Sequence, residues 1–203
     1  MTRVVHRAIA VTAAFQLIAG AVFADDDLSR DTRVRIGFKI AASQHIELDA
    51  DVPSQGLGSF LVTVSSCNDC HTQPNFAPGG DPDQRQPEQV NLDNYLAGGR
   101  SFPTPTGTFC SRNITPAPGT GLPAGLTRHQ FLYVIRTGCD PQDENFNDRS
   151  TCGLLNVMPW PNFRNYRSFE INAIYDYLSA LPHTDVGAAA QCTPDPQGVA
   201  DKQ

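Results

Sequence analysis

The chain of 203 residues carries 16 glycines, 16 prolines, 40% hydrophobic and only 18% charged side chains, the balance of one compact domain rich in loops. Its net charge of −6 argues against a nucleic-acid partner, which needs clustered Lys and Arg, and no repeat at a fixed period is present.

The first segment reads as a secretory signal. Arg3 and Arg7 precede an apolar stretch from Ala8 to Val22, and Val-Phe-Ala then stands before three aspartates, which predicts cleavage after Ala24. Thr12, Gln16 and Gly20 interrupt that stretch, so it falls short of the roughly 18 apolar residues in a row that a membrane span needs. Cleavage removes two of the 15 basic residues and none of the 21 acidic ones, taking the net charge to −8. Residues 25–56 follow as an N-terminal extension. Within it RVRIGFKIAA reads as a strand or extended arm, and IAASQHIELD, with His45, has no clear element.

LGSFLVTVSS, residues 57–66, can be a strand or a helix, and its β-branched Val62 to Val64 weigh slightly against the helix. It runs directly into Cys67-Asn-Asp-Cys70-His71. Six cysteines in an exported chain ordinarily mean three disulfides, but a bridge between Cys67 and Cys70 closes too small a loop to constrain the unfolded chain. A structural zinc site needs a second close pair, and Cys110, Cys139, Cys152 and Cys192 are far apart. A thioredoxin-like dithiol needs a βαβ unit, and no such alternation follows. Haem attachment uses every residue of the motif: two thiols one turn apart add to the porphyrin vinyl groups, and the adjacent imidazole faces the iron.

Residues 72–126 and 139–167 are long Pro- and Gly-rich stretches, more irregular chain than an ordinary small domain tolerates. A haem changes that balance, because loops can pack around a large apolar disc, and the chain without it is expected to fold poorly. Between the loops two helices are legible. LTRHQFLYVIRTG is amphipathic, capped by Thr127 with Gln130 completing a capping box, and stopped by Gly138. SFEINAIYDYLSALP starts from a Ser168 cap, buries Ile171, Ile174, Tyr175 and Leu178, and ends at Pro182. The acidic runs DDDLSRD and DPDQRQ lack the residue order of an EF-hand loop and read as solvated surface.

Beyond the signal, Met158 is the lone methionine, and it stands in LLNVMPWPNFRNY, where Pro159 and Pro161 are expected to hold the backbone extended as a strap across a haem face. A thioether is a soft ligand suited to iron(II), which makes Met158 the candidate for the second axial position. His45, His129 and His183 are the rivals, with no comparable backbone constraint. Arg112 and Asn113 in SRNITP, and Trp160, are donors that suit a haem propionate or simply the surface or pocket wall. Cys139 and Cys152 flank an acidic, Asn-rich loop and are expected to pair, which leaves Cys110 with Cys192; the sequence alone permits three pairings.

GSFLVTVSSCNDCHT, YLAGG with SRNITP, TGLPAGLTRHQFLYVIRTG, VMPWPNFRN and INAIYDYLSALP together resemble the mono-haem c-type cytochromes of bacteria, above all the cytochrome domains that accompany membrane-bound dehydrogenases. The resemblance spans roughly residues 57–182 and implies an all-α, class I cytochrome c fold over residues 57–203, in which the first and last helices cross. It implies one covalent haem c, with Cys67 and Cys70 as thioether positions, His71 as proximal ligand and Met158 as distal ligand. Such members often carry three haem motifs, and this chain has one. With both axial positions filled, the expected role is that of an electron carrier in the periplasm, not a catalyst, between a dehydrogenase donor and a cytochrome or oxidase acceptor, with association with a membrane complex but no span in the mature chain. An open sixth position would instead make a peroxidase or gas sensor. A subunit anchoring a larger dehydrogenase complex is the third reading.

Overall fold

Val34, Ile36, Phe38 and Ile40 alternate with other residues at a strand's period, yet the segment is helical. In the computed structural model, which describes residues 21–105, 107–185 and 192, helix α1 spans Ala21–Ser43. The signal expected over residues 1–24 lies outside the described residues except for the first four of this helix. Small residues decide the outcome. Gly37 and Ala41 are four apart and buried, and with Val34 and Phe38 they form one helical face that leaves Ile36 40% exposed. A Cβ on Gly37 would lie 1.7 Å from the Gly56 carbonyl oxygen, so α1 meets the next helix backbone to backbone. Neither a strand nor an extended arm forms here.

Helix α2 spans Pro53–Val64, with Pro53 in the first turn, where its missing N–H costs nothing. The β-branched run falls in its last turn: Val62 is fully buried, Thr63 turns its hydroxyl back to the Ser59 carbonyl, and Val64 stays exposed. Helix α3, Cys67–His71, is one turn; α4 spans Arg128–Thr137, α5 Trp160–Phe163 and α6 Ser168–Ala180. The Thr127/Gln130 capping box of α4 and the left-handed Gly138 that ends it are both present. The α6 cap stands one residue earlier than its sequence suggests. Arg167 is the N-cap, its N–H donating to the Glu170 carboxylate at 2.8 Å, while Ser168 is helical and its hydroxyl accepts from Arg136.

Helix α2 lies between α1 and α6. On the α6 side, a Cβ on Gly58 would sit 2.0 Å from the Ala173 carbonyl oxygen and 2.5 Å from the Tyr177 Cβ. The core closes around this crossing with Leu57, Leu61, Ile171, Tyr177 and Leu178, each at most 2% exposed. Burying a side chain such as Leu57 contributes roughly 1.5–3 kcal/mol, whereas a part-exposed surface pair such as Arg128–Asp176 contributes under about 1. Apolar packing therefore sets this geometry. Arg33 of α1 adds an ion pair at 3.0 Å to the nearly buried Glu170 of α6, and the Tyr95 and Tyr177 hydroxyls meet at 2.9 Å, fixing the 92–96 segment to α6.

The fold is mostly helical but not purely so. Ser101–Thr104 (β1) and Gly107–Cys110 (β2) form an antiparallel hairpin, Ser101 opposite Cys110 and Thr104 opposite Gly107. Short 3-10 turns occupy Pro82–Gln84 and Leu92–Asn94; in DPDQRQ the Asp81 carboxylate caps the first of them. Both expected disulfides are present, Cys139–Cys152 and Cys110–Cys192. Among the described residues, no helix is long and apolar enough to cross a membrane.

Gly37→Val would force α1 off α2. Overpacking at such a contact costs about 1–3 kcal/mol, and chemical denaturation is expected to show a loss of that size, larger than that of Lys39→Ala on the exposed face of the same helix.

Candidate functional site

Helix α2 delivers the motif. After Val64, Ser66 takes a left-handed conformation at φ 54°, which turns the chain so that the next five residues wind a separate turn. Cys67 and Cys70 are three apart on that turn and share a side; His71 follows four residues after Cys67. Thr72, fully buried, accepts the Leu96 N–H on its hydroxyl at 2.9 Å, and the His71 carbonyl accepts the Gly98 N–H at 2.6 Å. The turn is thus fastened to the segment that contains YLAGG.

Gly98 is needed there for two reasons. Its φ is +81°, and a Cβ would fall 2.5 Å from the Arg112 carbonyl carbon and the Ser111 oxygen. That close approach sets the Arg112 backbone beside the motif, and the Arg112 carbonyl faces His71 Nδ1 at 2.7 Å. A carbonyl only accepts, so Nδ1 carries the proton and donates it, leaving Nε2 to take a metal. Burial holds the imidazole below the usual histidine range, only partly offset by this hydrogen bond, and the neutral ring is the ligating form.

The two thiols are the free ones among the described cysteines. Burial pushes Cys67 up to about 12, with Cys70 beside it adding to the effect. Cys70 is also raised by burial, against the pull of the Arg100 guanidinium, whose Nη1 donates to the Asp69 carbonyl. A redox-active dithiol needs a depressed thiol, and burial acts in the opposite direction on both of these. No group of three or more His, Cys, Asp or Glu side chains that could hold a metal ion occurs among the described residues, which leaves a zinc tetrahedron without its other ligands. Two unpaired, neutral thiols and an imidazole with Nδ1 engaged, all on one turn, fit a porphyrin held by both its edge and its iron.

Met158 is half-buried against the same core cluster that Cys67 packs on. Its surroundings are tighter than an extended strap. The Trp160 N–H donates to the Met158 carbonyl at 2.8 Å across Pro159, a reverse turn, and α5 starts at once because Pro161 fits a first helical turn. Trp160 lies over Gly138, where a Cβ would meet its ring at 2.1 Å, so the end of α4 supports the turn that carries Met158.

The rival ligands are exposed or already hydrogen-bonded. His129 and His45 are exposed, and His45 borders a cavity of about 550 Å³ between the ends of α1 and α6 that none of the four predicted site residues lines. His183 has both ring nitrogens engaged, Nδ1 with the Pro116 carbonyl at 2.8 Å and Nε2 with Asp185 at 3.0 Å. The Asn113 amide is committed too, donating to the Thr184 carbonyl and accepting from Thr115, while Arg112 pairs with Asp140 at 2.6 Å. The sequence motif pointed to none of the Arg112 carbonyl, Gly98 or Asp140. The signal for Gly98 was present in YLAGG; a backbone carbonyl leaves none.

No family model matches the chain. It is 28% identical over 164 residues to the cytochrome c subunit of the quinone alcohol dehydrogenase of Gluconobacter oxydans, covering 74% of this chain and 29% of that protein. The fructose dehydrogenase cytochrome subunit of Gluconobacter japonicus is 25% identical over 126 residues (62% and 21%), and the gluconate 2-dehydrogenase cytochrome c subunit of Pantoea cypripedii 26% over 121 (60% and 22%). These similarities support a link to the cytochrome c family. The chain spans less than a third of the length of each of these relatives.

Two outcomes are expected. Gly98→Ala, strained at φ +81° and driven against the Arg112 backbone, should lower stability to denaturant by more than the about 1 kcal/mol that a lost glycine conformation alone costs. The Asp185 hydrogen bond raises the His183 value above 6.5, so protonated His183 favours the folded state. That contribution is complete below 6.5 and is lost as pH rises through the raised value. Hydrogen exchange at the Thr184 amide, which donates to Thr115, should therefore quicken beyond its intrinsic pH trend over that range, and His183→Gln should abolish the excess.

Proposed function

We propose that the chain is an exported electron-transfer protein carrying one covalent haem c, attached at Cys67 and Cys70 and ligated by His71 and Met158. The observation that carries this reading is the state of the motif: the two thiols left out of both disulfides share one turn with an imidazole whose Nδ1 is already bonded to a carbonyl. The haem would supply one-electron exchange with a partner. The chain's own residues do the rest. Cys67 and Cys70 tether, His71 presents Nε2, and the Arg112 carbonyl fixes the tautomer. Met158, held by the Pro159 turn against the core, would supply a thioether as the second ligand and so fill the position that a peroxidase or gas sensor would keep open.

The partner proposed is a dehydrogenase, since the relatives are named as cytochrome subunits of alcohol, fructose and gluconate dehydrogenases. A cytochrome or an oxidase would accept the electron. The same names favour the reading in which this chain works as a subunit of such a complex. The signal expected from the sequence supports a periplasmic location.

Material made in a host that matures c-type cytochromes should retain porphyrin after denaturation, and Cys67→Ser with Cys70→Ser should release it. Met158→Ala should remove the sulfur-to-iron charge-transfer band of the oxidised protein, lower the reduction potential and open the reduced form to carbon monoxide. Wild-type protein without porphyrin, or an unchanged spectrum in the methionine variant, would end the reading.

A further inference from the structure

The side of the site that holds His71 rests on a layer the motif does not contain. The Arg112 carbonyl receives the His71 Nδ1–H at 2.7 Å, and the Arg112 side chain is gripped in turn, by the Asp140 carboxylate at 2.6 Å and the Gln142 side-chain oxygen at 3.2 Å. The ion-pair partners are 33% and 18% exposed, so the pair is mostly shielded from solvent and does not belong with the exposed pairs that contribute almost nothing. Asp140 is itself fixed. Its carboxylate accepts the Gln142 N–H at 2.8 Å, its own N–H donates to the Gly153 carbonyl at 2.8 Å, and the preceding Cys139 is buried in the disulfide with Cys152.

We propose that Asp140 is a positioning residue for the metal-ligating imidazole, acting through Arg112 to hold the carbonyl that binds His71 Nδ1. The inference rests on the reading of His71 as an iron ligand. Two effects follow from the geometry, and they have the same sign. A carbonyl held firmly on Nδ1–H makes the ring a stronger donor to the metal, which favours the oxidised iron. The carboxylate also neutralises a guanidinium close to the site, which again favours the more positive oxidation state. Asp140 thus keeps the reduction potential lower than it would otherwise be.

The test uses the full chain loaded with haem. In Asp140→Asn the reduction potential should rise, and exchange of the His71 Nδ1 proton, followed by NMR, should quicken on the order of tenfold, the equivalent of about one net hydrogen bond. The rise should vanish when Arg112→Gln is already present, since the carboxylate then has no guanidinium to hold. Should Asp140→Asn fail to fold, Arg112→Lys keeps the charge, loses the planar fork and should quicken exchange in the same way. Unchanged exchange in the variant that folds, with His71 still bound to iron, overturns the proposal and leaves the reading of the site intact. A higher potential without faster exchange overturns it too, because loss of charge alone would produce that. Wild-type protein that carries no haem defeats the reading and the proposal together.

Discussion

Helix α2 can lie where it does because three glycines remove the atoms that would block it. Gly37 and Gly56 bring its backbone onto α1, and Gly58 brings it onto α6, at distances where any Cβ would overlap a carbonyl. Glycine inside a helix costs about 1 kcal/mol relative to alanine, and here that cost is offset by burial of the large side chains that close around the contact. The constraint reaches the chemistry directly. Only Ser65 and Ser66 separate α2 from Cys67, so wherever the crossing fixes α2 it also fixes the turn with both thiols and His71.

From there the loops take over. The segments around Leu96, Gly98 and Arg112 have little regular structure, but each makes a specific backbone bond to the motif or to its neighbours: Leu96 N–H to Thr72, Gly98 N–H to the His71 carbonyl, Arg112 carbonyl to the imidazole. Long irregular stretches are ordered here by satisfied polar groups and by two disulfides, in place of ladders of helix or sheet. The turn with Met158 is supported by packing instead, with Trp160 lying over Gly138.

What could be read in advance was what local chemistry determines. The Thr127/Gln130 box, the Gly138 stop, the buried face of α6 and the Cys-x-x-Cys-His turn each involve residues within a few positions of one another, and each is present. The failures have physical causes as well. RVRIGFKIAA mimics a strand because its large apolar residues alternate, while the face that matters is drawn by Gly37 and Ala41, residues that carry no hydropathy signal. Pro159 and Pro161 suggested an extended strap, but proline's fixed φ suits a reverse turn and a first helical turn equally well. The hairpin Ser101–Thr104 with Gly107–Cys110 is short and only half-buried, so no alternation marked it. The Arg112 carbonyl is invisible to any reading of side chains, because every residue has one.

The two disulfides have a topological effect separate from any local contact. Cys110–Cys192 spans 82 residues and Cys139–Cys152 spans 13, and the smaller ring lies wholly inside the larger. By loop-closure arguments the two constrain the unfolded chain by about 4–5 and about 3 kcal/mol. The outer ring encloses α4, Met158, α5 and α6, so a peptide bond cleaved anywhere between residues 110 and 192 opens a circle without releasing a fragment. The methionine sulfur and the helix that crosses α2 would stay covalently joined to the half of the molecule that holds the histidine.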